Sequence, residues 1–206
     1  MKRLAIVIMT MTFVASGCIV TSINPLYTKG DLVMNNLLVG EWIGKKALLT
    51  IQNQNDNSYL INYKDCEDPY NAPENYASCT MADFSVHLLK LGDDYFMDFY
   101  PRSYMNSDNL FLGLHIRPAH SFAKIIIEKD SLKILLFDYS WMANYLENNK
   151  GKPDYIVADD LITLTASTKE LQEFVLKHQK EPGFFSDPIV LVRKNKQLIS
   201  SPVNER

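Results

Sequence analysis

Cysteine and histidine are scarce in this chain, three and four residues out of 206. Its eight glycines are scattered, so no glycine-rich loop cradles phosphates, and neither a His-Glu-x-x-His zinc pair nor a Gly-x-Ser-x-Gly elbow occurs. These absences remove the usual signs of nucleotide binding, zinc proteolysis and serine hydrolase chemistry. Neither sign of charge dominates: 21 Lys and Arg stand against 24 Asp and Glu, a net −3. Without a basic stripe, nucleic acid is not an expected partner. No repeat or low-complexity tract divides the chain, and past its beginning no apolar run approaches the ~20 residues of a spanning helix.

What is present begins at the first residues. Lys2 and Arg3 precede an apolar stretch from Leu4 to Ala15, and small residues Ser16 and Gly17 lead to Cys18, the layout of an export signal. At about 1.5 Å per helical residue this stretch reaches roughly 18 Å, well short of a ~30 Å hydrocarbon core. Ala15-Ser16-Gly17-Cys18 also resembles the lipobox of bacterial lipoproteins, with Ala15 where that family most often has Leu. The resemblance implies that residues 1–17 are a signal peptide, that Cys18 becomes the first residue, and that its sulfur carries lipid. Ile19 follows in place of Asp, and in enteric-type bacteria the family's sorting rule then favours the outer membrane. Loss of residues 1–17 also removes the charges of Lys2 and Arg3, making the mature chain more acidic.

With Cys18 assigned to lipid, Cys66 and Cys79 remain, an even pair in an oxidising compartment where disulfides persist. The expectation is a bridge between them.

From Thr21 to Asn36 periodicity is low, with Pro25 and Gly30, so residues 18–36 read as a lipidated tether and 37–206 as a single β-rich domain. Short aliphatic and aromatic segments then alternate with turn formers, the pattern of an antiparallel meander. The expected strands are Leu38 to Ile43, Ala47 to Gln52, Ser58 to Tyr63, Cys79 to Leu91, Tyr95 to Tyr100, Leu110 to Ile116, Phe122 to Glu128 and Leu132 to Tyr139. Turns are expected at Asn53 to Asn57, Gly92-Asp93 and Lys129-Asp130-Ser131. Ala123, Ile125 and Ile127 oppose Phe122, Lys124 and Glu128, as in a sheet with one wet face.

Beyond Tyr139, Ser140 is a candidate cap for a short helix carrying Trp141, Met142, Tyr145 and Leu146, with Gly151 past its end. Ser167-Thr168-Lys169-Glu170 fits a capping box ahead of a stripe of Leu171, Phe174, Val175 and His178. Glu181-Pro182-Gly183 should stop that helix. Ile189 to Arg193 reads as a closing strand, and Leu161 to Thr165 as a further one. The fold class expected is mainly β: an antiparallel meander forming a barrel or half-open barrel, two C-terminal helices and a closing strand.

Leu38-Val39-Gly40-Glu41-Trp42 places a Gly-x-Trp at the first strand, and with the meander this resembles lipocalin-type barrels. In that family the tryptophan packs across one end of the barrel, the position Trp42 matches. The stretch from Leu164 through Phe185, with Pro118 to Phe122, resembles bacterial lipoproteins as well, a likeness that implies no activity.

Chemistry-bearing residues are few. His115 and His120 flank Arg117-Pro118-Ala119, and a hairpin can bring them together, with Asp98 or Glu128 as further metal donors. The expected reading is surface or hydrogen-bonded histidines, with no metal and no cofactor. His87 suits a wet strand face and His178 a helix stripe. Asp93-Asp94 and Asp159-Asp160 read as solvated turns. Tyr95, Phe96, Phe99, Tyr100 and Tyr104 crowd one hairpin end, as core or as the lining of an apolar opening. The function expected is a membrane-anchored, periplasm-facing cell-envelope lipoprotein that is not an enzyme. Its partners would be membrane lipid through acylated Cys18 and an envelope protein; the alternative is a carrier of a small apolar ligand.

Overall fold

The computed structural model describes residues 19–54, 57–71, 79–102, 118–149 and 152–194. Eleven strands form one sheet: β1 (Thr21–Ser22), β2 (Gly40–Ile43), β3 (Ala47–Gln54), β4 (Ser58–Asp65), β5 (Thr80–Leu91), β6 (Asp94–Pro101), β7 (His120–Ile127), β8 (Ser131–Leu136), β9 (Tyr155–Ala158), β10 (Leu161–Leu164) and β11 (Ile189–Arg193). Among the described residues two helices, α1 (Tyr139–Asn148) and α2 (Thr168–His178), and a 3-10 turn at Asn36–Leu38 complete the elements.

Strands β2 to β8 pair in sequence order, each antiparallel to the next. The closing strand β11 lies antiparallel to both β8 and β2, so eight strands close into a barrel. Alternation fixes what fills it. Met97 on β6, Val86 and Leu88 on β5, and Ala123 and Ile125 on β7 point inward to meet Trp42, Ile51, Tyr59 and Leu191. The intervening positions point outward. Among them, Phe96, Leu89 and Phe122 are covered by a second layer made of α1, α2 and the N-terminal segment.

Trp42 is wholly buried in the barrel core, with its indole N–H donating to the Leu38 carbonyl at 2.8 Å. Arg193, its register partner on β11, lays its guanidinium 4.2 Å from the indole ring centre. The same guanidinium donates to the carbonyls of Leu37 and Val39. This bears on Gly40: its φ of +134° requires glycine, and an added Cβ, 2.7 Å from Arg193 Nη1, would also push the guanidinium aside.

The β4–β5 register sets Asp65 opposite Thr80. One step further Cys66 faces Cys79, and the two are disulfide-bonded with their Cα atoms 4.5 Å apart. The bridge thus adds a covalent rung to the ladder and closes the 67–78 loop. Replacing both cysteines by serine is expected to lower stability by roughly 3 kcal/mol, from loop closure in the denatured chain. Urea unfolding measures it, and an unchanged midpoint would remove the bridge from the list of what holds the barrel.

Three sequence expectations need correction. Residues 19–36 are not a tether. Val20 and Leu26 are buried, β1 inserts between β7 and β10, and Leu32 bridges to Leu89. The segment lacks periodicity because after the two-residue strand β1 it passes across β6 to β5, so only isolated residues are covered. Compact structure therefore starts at Val20, not Leu37. The first helix is capped by Asp138, whose carboxylate accepts from the Trp141 N–H, two residues before Ser140. Strand β9 was not anticipated. Its hairpin to β10 turns on Asp159 and Asp160 at φ 50° and 61°, left-handed angles usually signalled by Asn-Gly. The capping box at Ser167 and Glu170 is present, and Leu171, Phe174, Val175 and His178 are buried. The Leu110 to Ile116 strand and Gly151 lie outside the described residues.

Candidate functional site

Cys18, the expected lipidation position, also lies outside the described residues, as do His115 and Tyr104. The fold pairs Thr21 and Ser22 beside β7 and then lays residues 26–32 over the outer wall of β6 and β5. Polar side chains gather there, because Asp98 and its register partner His87 both point outward and His120 begins β7.

Asp98 is wholly buried. His120 Nδ1 lies 2.6 Å from one carboxylate oxygen, and the other accepts the Leu26 N–H at 2.7 Å. Both oxygens are thus engaged, one by the barrel and one by the N-terminal segment. Tyr27 stacks on His87 at 4.3 Å between ring centres, and Tyr100 leans on His120 at 4.7 Å. Burial pushes the Asp98 carboxyl above the ordinary range, opposed by His120, the Leu26 amide and His87. His87 is pushed down, first by burial and also by His120, against the pull of Asp98. The arrangement is a latch: a buried carboxylate ties residues 25–27 to the wall, where an unpartnered one would be costly.

Of the metal donors suggested by sequence, His120 and Asp98 do meet. Glu128 does not join them, because it follows the far end of β7, eight residues and about 26 Å away. Among the described residues no group of three or more His, Cys, Asp or Glu is placed to hold a metal. The aromatic set also divides. Tyr95 and Phe99 pack on the barrel interior, whereas Phe96 and Tyr100 point outward, so strand alternation prevents them from lining one opening. Asp94 pairs with Lys124 at 2.8 Å, and Asp159 and Asp160 form the hairpin turn.

A second polar feature lies between the helices. His178 is buried, with Nδ1 2.7 Å from a Glu181 carboxylate oxygen and Nε2 without a hydrogen-bond partner. Rings of Phe174, Tyr145 and Trp141 enclose it, with centres 4.7, 4.8 and 5.5 Å away. A pocket of about 260 Å³ opens beside it, lined by Lys152, Glu170, Glu173 and Lys177 among others. In the sequence His178 reads only as a stripe residue, because Trp141 and Tyr145 reach it from the other helix.

The latch implies a pH dependence. Below the ordinary histidine value of 6.5, the unfolded chain takes up a proton that folded His87 resists, so ν_U exceeds ν_N and stability falls as pH drops through that window. Above the ordinary aspartate value of 3.8, folded Asp98 retains a proton that the unfolded chain has released, so its contribution falls as pH rises. A His87→Gln variant is expected to lose less stability than the wild type between pH 7.5 and 5.5, read as urea midpoints. An equal loss in both would place the response elsewhere.

No known protein family matches the chain, and no curated protein or solved structure is significantly similar to it.

Proposed function

We propose that this protein is an exported bacterial lipoprotein, held in the cell envelope by acyl chains on Cys18, whose barrel is a non-enzymatic module that meets another envelope protein or wall material. The observation that carries this is the run Lys2-Arg3, Leu4 to Ala15, Ser16-Gly17-Cys18, followed at once by folded chain. The Cys66–Cys79 bridge supports an oxidising compartment. Among the described residues no helix is long and apolar enough to cross a membrane. Ile19 after the cysteine favours the outer membrane in enteric-type bacteria. Radiolabelled palmitate should enter the wild-type chain, and the mature amino-terminal peptide should carry the acyl mass. Absence of both would sink the proposal. Crosslinked envelopes should return a recurrent partner, and repeated failure to do so would count against the interaction role.

A second reading, a carrier of one small apolar ligand, is supported by the closed eight-stranded barrel, whose width either packs solid or holds one small molecule. Against it, Trp42, Tyr59, Ile51, Ile61, Leu88 and Met97 meet inside with under 2 % exposure. Native mass spectrometry of the delipidated protein showing a bound species would favour the carrier.

A further inference from the structure

We infer that the outward face of the β1–β10–β9 ribbon rests on the bilayer surface as a shallow hydrophobic contact beside the lipid anchor. The inference depends on acylation of Cys18 and specifies how the folded domain would sit.

The ribbon's faces follow from its register. Thr21 stands opposite Thr163 and Thr163 opposite Ile156, and the two threonine hydroxyls are 2.9 Å apart, so these residues share one face. Two residues along each strand, Ile19 and Leu161 lie on that same face, with Ala158 opposite Leu161. On the reverse face Val20, Ser22, Ile162 and Leu164 are buried, and only toward the sheet edge is Val157, opposite Ile162, exposed. Outward, Ile19, Ile23, Leu161 and Ile156 are between 46 % and 57 % exposed, and no charged residue interrupts them. Strand β9 ends the sheet. By contrast, the exposed aliphatics of β11 include Val190, which stands opposite Lys133.

Position supplies the occupant. The acylated residue would sit one peptide unit, about 3.8 Å between Cα atoms, from Ile19. Val20, next in line, is already buried in the fold. With no slack to lift the barrel from the membrane, the face that begins at Ile19 is the one brought to the lipid. An apolar surface held there gains by entering the headgroup zone. Asp154, Asp159 and Asp160 border the ribbon, so its entry is limited to a depth that leaves these carboxylates hydrated, and anionic lipid adds nothing to the attraction.

The test uses full-length protein acylated in cells and reconstituted into vesicles of phosphatidylethanolamine and phosphatidylglycerol with brominated acyl chains. An Ile156→Trp reporter should shift its added emission to the blue and lose most of it to bromine. A Gln52→Trp control, on β3 across the barrel, should keep its emission. Adding Leu161→Asp to the reporter should abolish the blue shift while palmitate labelling stays intact. Palmitate incorporation without quenching of the reporter would overturn this inference alone. Failure of palmitate to enter would overturn the anchor and the inference together. An unquenched reporter whose β9 crosslinks to another copy would assign the face to a dimer instead.

Discussion

Cys18→Ala is expected to move the protein from the membrane fraction to the soluble periplasmic fraction and to abolish palmitate labelling. The reasoning is additive hydrophobicity. Each buried methylene contributes about 0.8 kcal/mol, one chain gives marginal binding, and two or three chains give effectively stable attachment. Removing the sulfur removes all of them together. The exposed ribbon face, bordered by carboxylates, lacks the area to replace them. Folding should be unaffected, because the bridge joins Cys66 to Cys79 and the variant touches neither. Processing should continue, since Ala15 and Gly17 still present small residues to an ordinary signal peptidase. Fractionation with immunodetection reads the result; a variant that is correctly cleaved yet still membrane-bound would refute lipid attachment at this residue.

The largest loss of stability is expected from Trp42→Ala, about 3 to 5 kcal/mol out of the 5 to 15 kcal/mol typical of a domain. The indole is wholly enclosed, donates to the Leu38 carbonyl and supports the Arg193 guanidinium. Truncation therefore leaves a cavity, an unpaired carbonyl and a cation without its ring at the seam where β11 closes on β2. Trp42→Phe keeps one aromatic ring but forfeits the N–H and part of the indole's volume, so its cost should be smaller, about 2 kcal/mol. Urea midpoints of the two variants measure the difference. A loss below about 1 kcal/mol for Trp42→Ala would show that the site collapses freely and that the barrel end does not depend on this side chain.

Both expectations began as sequence patterns, and the pattern's range explains what each one captured. The meander was readable because burial on one face repeats every second residue, and that alternation reports itself within any single strand. The capping box at Ser167 and Glu170 was readable for the same reason: all its atoms lie within one helical turn. The Gly-x-Trp marked where the first barrel strand begins. It did not reveal why Gly40 is glycine, since its φ of +134° and the Arg193 guanidinium beside it exist only in the folded chain.

The remaining features lay beyond local pattern. The Asp98 latch joins residues 26, 98 and 120, which become neighbours only when β6 and β7 pair and the N-terminal segment crosses them. The aromatic enclosure of His178 likewise draws on both helices. The N-terminal segment looked like a tether because a chain crossing a wall buries single residues such as Val20 and Leu26, with no period to betray them.

Sequence alone determined the pairing of Cys66 with Cys79, the meander and the second helix, and it carries the lipobox resemblance on which the proposed anchor rests, because each is written in neighbouring residues or in a count. Tertiary structure decided that the barrel closes through β11, that the chain after Cys18 is folded with no slack, and that an uncharged aliphatic face begins there. Those are contacts between residues distant along the chain, and their free energy exists only once the strands are in register.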